Sequence, residues 1–312
     1  MEIQFNHYPV MKTEAIEYLN IQPDGIYADF TLGGGSHAEE IAKRLDRGKL
    51  IAFDLDIDAI EFSKKKLKDY GDKIFFINDN FASIKKVANE LGYEKIDGAL
   101  ADLGLSTHQI ESDRGFSYSS AKESPLLMTM NQNEKQTAAT VVNTFDKDRL
   151  KEILYKYGDE KFSGIIASAI VRERAKKPIE TNLELTNIIK NAISNFRYEG
   201  GHPAKRSFQA FRAFCNREME NLRLAIDSAE QILKKGARIV VISFQSKEDE
   251  IVKERFGYYA KNCICPSSFP VCVCTKRATA KIVTKKPLYP SEAEIKENPA
   301  SKSAKMRVLE KL

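Results

Sequence analysis

With 312 residues, of which 42% are hydrophobic, the chain is long enough for one large or two modest domains with a normal core. It has no run of about 18 apolar residues, which excludes a transmembrane helix, and residues 1–14 lack the basic start and apolar core of a signal peptide. The formal net charge of +5 permits a nucleic-acid partner without requiring one. We therefore expect a cytoplasmic protein.

The first third of the chain alternates strand patterns with helical patterns. Short apolar strands are predicted at residues 26–30, 50–56, 74–79 and 96–104, and amphipathic helices separate them. Such alternation is typical of a parallel sheet with helices on both faces. The sequence therefore predicts an α/β fold with a Rossmann-like doubly wound sheet.

The next strand of this kind, at residues 237–244, follows after more than 130 residues. A gap of this length is too long for a crossover loop, and the residues within it have helical patterns. We therefore predict an inserted all-helical domain at 106–207. The sheet domain is then discontinuous and consists of 1–105 and 208–312.

A single long helix is predicted for residues 207–236, because apolar side chains recur there at helical spacing. Ser207 can cap its start and Gly236 its end. This helix should lead into the strand at 237–244. Another short strand is predicted at 280–286, before a polar and basic end.

Five cysteines are present, and four of them form two C-x-C pairs: Cys263, Cys265, Cys272 and Cys274. In a cytosolic protein, clustered thiols suggest zinc before disulfides, but the usual zinc spacing is C-x2-C. On a strand, which we predict at 271–278, C-x-C places both thiols on one face, where they can simply pack. We predict no metal site and leave zinc open as the alternative.

The stretch DFTLGGGSHAEEI, residues 29–41, places three glycines between a strand and a helix that begins with an S-x-x-E capping box. Such a turn lets the backbone approach a ligand closely, although it could also be a tight turn without one. No G-K-[ST] follows, which excludes a P-loop. Gly33, Gly35 and Ala38 fit a dinucleotide-binding turn, with Asp54 at a suitable distance for ribose hydroxyls.

Two acids favour S-adenosylmethionine over a dinucleotide. Asp29 precedes the glycines and can hold a cationic amino-acid moiety. Asp102 ends the fourth strand, at the edge where open α/β sheets bind ligands. The stretch DLDID at 54–58 imitates a calcium loop, but Ala59 replaces the required glycine, so we interpret Asp58 as a helix cap.

Longer segments of the chain together resemble one family. They are HYPVMKTEAIEYL (7–19), DFTLGGGSH (29–37), DGALADLGLSTHQIE (97–111), RGFSYS (114–119), HPAKRSFQAFR (202–212), ISFQSKEDEIVK (242–253) and NPASKSAKMR (298–307). The chain resembles, nearly end to end, the bacterial 16S rRNA cytosine-N4 methyltransferase family, which acts in the decoding centre. The resemblance implies a class I S-adenosylmethionine-dependent methyltransferase whose substrate is 16S rRNA within the small ribosomal subunit.

The resemblance also implies the site. The cofactor-binding positions would be Gly35, Ser36, His37, Asp54, Phe81, Asp102 and Gln109. Asp54 would bind the ribose and Phe81 would flank the adenine. Asp102 and Ser106 are the catalytic candidates. Asp102 or a backbone carbonyl near Leu103 would accept hydrogen bonds from the reacting amino group, and Ser106 would help orient the base. The alternatives are ordinary structural roles, such as core packing for Phe81 and a surface cap for Gln109.

The segment HPAKRSFQAFR combines Lys205, Arg206 and Arg212 with two phenylalanines. Basic residues beside aromatic ones suit contact with RNA phosphates, so we predict RNA binding here. The alternative is a helix start with a solvated basic face.

Several positions depart from the family pattern, among them Gly34 and Ser36 in the glycine turn, and three of the departures bear most on the chemistry. Leu127 and Thr129 replace an acid and an arginine, and Gln245 replaces a histidine, which removes a titratable group. The alternatives to a cytidine methyltransferase are therefore a paralogue that methylates another RNA and a non-catalytic, RNA-binding assembly factor. An NAD oxidoreductase is possible from the fold alone.

Overall fold

The computed structural model describes residues 9–194, 196, 201–266, 268–269 and 271–312. Residues 1–8 lie outside the described residues. They begin the stretch that lacks signal-peptide features, and residues 7 and 8 also begin the first family segment. The chain divides into two compact units: one contains the chain up to Gly104 together with Glu220–Leu312, and the other contains Leu105–Met219. None of the described helices combines the length and the apolar character that crossing a bilayer requires.

A sheet of seven strands, counted over the described residues, forms the first unit. The strands are β1 (Ile26–Asp29), β2 (Lys49–Phe53), β3 (Ile74–Ile77), β4 (Ile96–Asp102), β5 (Leu233–Ser243), β6 (Ala280–Ile282) and β7 (Lys305–Lys311). Their order is β3-β2-β1-β4-β5-β7-β6. Strands β1 to β5 pair in parallel, and β7 is antiparallel to both of its neighbours. The predicted doubly wound α/β fold is confirmed.

Both faces of the sheet are buried, as parallel sheets require. Along β2, Ile51 and Phe53 pack into the apolar layer on one face, and Leu50 and Ala52 pack into the layer on the other. Successive side chains of a strand point to opposite faces, so a continuous apolar run is what a strand covered on both sides needs. The carboxyl ends of these strands form the edge that carries the predicted site.

Helices complete both units. In chain order they are α1 (Lys12–Leu19), α2 (Ser36–Arg44), α3 (Ile57–Lys66), α4 (Ile84–Glu90), α5 (Thr107–Glu111), α6 (Ala138–Thr144), α7 (Lys147–Gly158), α8 (Ser163–Arg174), α9 (Asn182–Ala192), α10 (Lys205–Cys215), α11 (Glu218–Ile232), α12 (Ser246–Ala260) and α13 (Glu292–Glu297). Helices α5 to α10 belong to the helical unit. Its core contains Leu150 of α7, Ile166 of α8 and Leu185 of α9, all fully buried.

The predicted long helix at 207–236 is wrong, because the chain breaks between α10 and α11. Arg217 adopts a left-handed φ of 51°, which an uninterrupted helix does not allow. The Asn216 side chain accepts a hydrogen bond from the Met130 nitrogen and donates one to the Met128 oxygen, each at 2.7 Å. These bonds hold the break in place.

The end of the long helix also differs from the prediction. β5 begins at Leu233, so Gly236 lies within a strand. The helical unit extends to Met219, whereas the sequence placed its end at residue 207. The boundary lies later than predicted because α10 packs within the helical unit, where its Phe208 and Phe211 are buried in the core.

The last part of the chain departs from the predicted strands. Residues 271–278 form no strand, and the strand predicted at 280–286 is limited to β6. The sequence did not predict β7, because charged residues interrupt its apolar ones. Met306 and Val308 are fully buried in β7 and alternate with the more accessible Lys305 and Arg307.

Candidate active site

The glycine turn between β1 and α2 has a backbone conformation that favours glycine at two positions. Gly33 and Gly35 have left-handed φ angles of 47° and 72°. A Cβ on Gly35 would lie 2.9 Å from the Ser63 hydroxyl, so a larger residue would clash as well as strain the backbone. The predicted capping box at Ser36 is not formed. The N-cap is Gly35, which has no side chain, and Ser36 is the first helical residue.

Asp54 follows β2 and is fixed by backbone groups. Its Oδ2 accepts a hydrogen bond from the Gly33 nitrogen at 2.8 Å, and its Oδ1 accepts one from the Asp56 nitrogen at 2.9 Å. The carboxylate therefore joins the glycine turn to the end of the neighbouring strand. Asp56, and not the predicted Asp58, is the N-cap of α3.

Two acids are buried where β1 and β4 end. Asp29 is 1% exposed, and its Oδ1 accepts a hydrogen bond from the Thr31 nitrogen at 3.0 Å. The side chain of Asp102 is 9% exposed, with its Oδ2 lying 3.7 Å from Nδ1 of His37. Within the described residues, Oδ2 of Asp29 and Oδ1 of Asp102 are buried without a hydrogen-bond partner. This end of the strands therefore suits a ligand with cationic or N–H groups, because such groups would donate hydrogen bonds to the two buried acceptors.

The electrostatics of these acids follow from their burial. Desolvation raises the pKa of Asp29 to about 7, opposed by the Thr31 hydrogen bond and reinforced by the nearby Asp54 charge. Desolvation also raises the pKa of Asp102 well above its usual value, and Asp29, Glu248 and Glu294 add to this shift. The two carboxyls therefore keep their protons to a higher pH than exposed acids do, and a cationic ligand bound beside them would favour their ionised form.

Phe81 contributes a flat apolar surface after β3. It begins a 3₁₀ turn, Phe81–Ser83, and its ring stacks on Phe30 with centroids 5.6 Å apart and planes inclined by 13°. Phe30 is buried, whereas Phe81 is only partly buried. The predicted positions from Gly35 to Asp102 thus all lie in the sheet unit, along the carboxyl edge of its strands.

Ser106 and Gln109 lie in the helical unit and form a capping box at the start of α5. The Gln109 nitrogen donates to Oγ of Ser106 at 3.2 Å, and the Ser106 nitrogen donates to Oε1 of Gln109 at 3.1 Å. Both side chains are buried. Their observed contacts are those of a helix cap, so their roles toward a cofactor or base stay predictions.

The three basic residues of α10 have different environments. Lys205 is exposed and Arg206 partly exposed at the first turn. Arg212 is buried instead, and its guanidinium donates two hydrogen bonds to Glu218, at 2.8 and 2.9 Å. A guanidinium held in this way stabilises the end of α10, so phosphate contact stays a prediction for Lys205 and Arg206 only.

The residues that depart from the family pattern have local partners. Gln245 caps α12 reciprocally with Glu248: the Gln245 nitrogen and Nε2 each donate to the Glu248 carboxylate at 3.0 Å. Thr129 is buried, and the oxygen of Leu127 accepts a hydrogen bond from the Ala138 nitrogen at the start of α6. The sequence did not single out Glu248, although the spacing Q-x-x-E is a recognisable capping signal.

The strand order, the antiparallel β7, and the glycine turn with its acid-lined strand edge define a class I S-adenosylmethionine-dependent methyltransferase. A sequence profile of the MraW methylase family matches residues 4–312, and the chain belongs to this family.

Full-length relatives carry consistent names. The chain is 47% identical to "Ribosomal RNA small subunit methyltransferase H" of Clostridioides difficile (strain 630), over 99% of this chain and 100% of the relative. It is 46% identical to the protein of the same name from Clostridium botulinum (strain Kyoto / Type A2), with the same coverage. A methyltransferase from Streptococcus mutans solved in complex with SAH is similar with a TM-score of 0.46 at 11% identity, over 98% of this chain and 99% of that one.

Proposed function

We propose that the chain uses S-adenosylmethionine to methylate the N4 atom of a cytidine in 16S rRNA. The observation that carries this proposal is the end-to-end identity of 47% to a small-subunit rRNA methyltransferase. The cytoplasm, where ribosomal RNA is found in bacteria, is its expected location. Assembled small subunits are the proposed acceptor, because the resemblance is to enzymes of the decoding centre.

The described residues fit the cofactor. Asp29 and Asp102 offer buried acceptors for its cationic amino-acid end, and Asp54, which is bonded to the glycine turn at the end of β2, is the proposed ribose contact. Phe81 supplies an aromatic face for adenine. S-adenosylmethionine supplies a methyl group on a positively charged sulfur, so an acid-rich pocket suits it electrostatically.

The Asp54 assignment predicts a loss of cofactor affinity. Asp54→Ala should weaken S-adenosylmethionine binding by about 1–3 kcal/mol, because charge-assisted hydrogen bonds to the ribose are lost. Calorimetry on the purified protein measures this. Asp54→Asn keeps an acceptor for the Gly33 nitrogen, so it separates loss of the ribose contact from loosening of the turn.

The matched control is Asp58→Ala, which removes a nearby acid in the first turn of α3. It should bind the cofactor like the wild type. Equal affinity of Asp54→Ala and wild type would contradict the assignment.

The proposed acceptor makes particular demands on the protein. The N4 lone pair of cytosine is conjugated with the ring and is a poor nucleophile, so the amino group must be aligned with the methyl group and must rehybridise as the N4–carbon bond forms and the carbon–sulfur bond breaks. Asp102 is the proposed acceptor of hydrogen bonds from this group, and Ser106 the proposed contact that orients the base. The base must leave its stack to reach them.

Lys205 and Arg206 are the proposed phosphate contacts. Lys205→Ala with Arg206→Ala should weaken binding of 16S rRNA roughly tenfold and flatten its dependence on salt, because fewer counterions are released. Filter binding at several salt concentrations measures both effects. Lys253→Ala, which removes an exposed lysine of α12, is the control and should leave both unchanged.

The proposed function is tested by transfer of a labelled methyl group. The acceptors are small subunits that lack the modification, large subunits and naked 16S rRNA, with the product nucleoside identified. N4-methylcytidine formed in small subunits supports the proposal. Cofactor binding without transfer to any acceptor would support the non-catalytic alternative instead.

A further inference from the structure

The four paired cysteines lie in a loop between α12 and β6 that is remote in sequence from the glycine turn. From Lys261 to Thr279, the described residues form neither helix nor strand. The base of the loop is closed by a hydrogen bond from the Ala278 nitrogen to Oδ1 of Asn262 at 3.0 Å. A second bond, from the Thr279 nitrogen to the Tyr259 oxygen at 2.9 Å, fixes the loop to the end of α12.

The four cysteine side chains of the loop bring their sulfur atoms close together. The Sγ atoms of all four cysteines lie within 4.8 Å of one another. Sγ of Cys263 is 3.4 Å from that of Cys272 and 3.7 Å from that of Cys274, and the last two are 3.7 Å apart. Four thiolates at about 2.3 Å from one tetrahedral zinc ion would be about 3.8 Å apart. The observed cluster has the size of a mononuclear site.

Apolar packing does not explain this convergence. The apolar side chains of the loop point outward: Ile264 is 51% exposed, Phe269 50%, Val271 70% and Val273 71%. A strand with both thiols on one packed face, as the C-x-C spacing suggested, is not what the described residues form. A loop with exposed apolar residues and clustered thiols needs another source of order, and a structural metal supplies folding free energy of that kind.

Backbone N–H groups donate hydrogen bonds to two of the four sulfurs. The Ile264 nitrogen donates to Sγ of Cys274 at 3.5 Å, and the Cys265 nitrogen donates to Sγ of Cys263 at 3.3 Å. Such donors orient metal-binding sulfurs and partly neutralise them. Lys276 and Arg277 follow the last cysteine, and Nζ of Lys276 lies 4.9 Å from the ring centre of Tyr258 on α12. These two basic residues place positive charge within three residues of the last cysteine in the chain.

We infer that Cys263, Cys265, Cys272 and Cys274 bind one zinc ion in a tetrahedral, all-sulfur site that orders this loop. Four protein ligands leave no open position, so the site is structural and takes no part in methyl transfer. A soft, divalent ion without redox chemistry suits four thiolates in a reducing compartment. Departure from the usual C-x2-C spacing is accommodated because the ligands come from irregular backbone.

The test measures the metal content of the full-length protein, purified under reducing conditions without chelator. We expect about one zinc per chain in the wild type and in Cys215→Ser, which changes the cysteine outside the loop, and almost none in Cys272→Ser with Cys274→Ser. Zinc should also protect the loop from trypsin after Lys276 and Arg277, and a strong chelator should remove this protection.

A second measurement does not depend on the variants folding. Cobalt(II) added to metal-free wild type should produce the intense absorption of tetrahedral cobalt thiolates, saturating at about one equivalent. Wild-type protein that carries no zinc and gives no such absorption would overturn the inference. Iron in the site, or disulfides among these cysteines in anaerobically purified protein, would overturn it equally.

Discussion

Asp102→Asn is expected to lower the rate of methyl transfer by about 100- to 1,000-fold, the usual effect of removing one group that stabilises developing charge. The amide retains the shape of the carboxyl group but accepts hydrogen bonds through only one oxygen and cannot ionise. The fold should survive, because β4 uses the backbone of Asp102, whose nitrogen donates to Oγ1 of Thr31 at 2.7 Å. Single-turnover transfer at saturating cofactor and RNA measures the rate.

Asp97→Asn is the matched control for this prediction. Asp97 lies in the same strand, near its other end, and its Oδ2 accepts hydrogen bonds from the Ile26 nitrogen and from Nζ of Lys234, both at 2.8 Å. Its replacement should cost stability but leave the rate at saturation unchanged. If Asp102→Asn transferred methyl groups within threefold of the wild type, Asp102 would not be the acceptor.

Asp29→Asn is expected to stabilise the cofactor-free protein at pH 8 and to weaken cofactor binding. The native pKa of Asp29 is about 7, above the usual value of 3.8, because the carboxyl is buried. At pH values between 3.8 and about 7, the Asp29 carboxyl is protonated in the native state but ionised in the unfolded state. The free energy of unfolding of the wild type therefore falls as pH rises through this range, by up to about 1.4 kcal/mol per pH unit. The variant has no such proton and avoids this loss.

The difference in unfolding free energy between Asp29→Asn and the wild type should therefore grow from pH 4 to about pH 7 and then level off. Denaturant unfolding at several pH values measures it. The wild type should also bind S-adenosylmethionine more tightly as pH rises to about 7, as the carboxylate becomes charged. Parallel stability curves for the two proteins would show that Asp29 does not titrate in this range.

The sheet was predictable because its strands carry a local signal. β1 to β5 are short apolar runs followed by polar residues, and each was predicted to within a few residues of its observed position. β7 was not predicted, because its charged residues suggest a solvated tail. This segment becomes a strand by pairing with β5 and β6, and a local sequence pattern does not reveal that pairing. The break at Asn216 was missed for a related reason: it depends on bonds to the Met128 and Met130 backbone, which no local pattern encodes.

The candidate site was predictable where function requires particular residue types in fixed order. Gly33, Gly35 and Asp54 follow from the strand–turn–helix pattern, and the structure joins them by a hydrogen bond from Gly33 to Asp54. The burial of Arg212 against Glu218 was not predictable, since a basic residue beside phenylalanines looks the same whether it faces RNA or a partner acid. Tertiary packing decides between the two.

The position of β7 has a consequence for how the protein is made. β7 follows β6 in the chain but separates β6 from β5 in the sheet. During synthesis, β6 therefore leaves the ribosome before the only strand to which it pairs in the described sheet, and the outer edge of β5 stays uncovered until β7 follows. A ribosome paused between the two strands would hold a nascent chain with an open, apolar sheet edge, the kind of surface that chaperones bind and that aggregates readily.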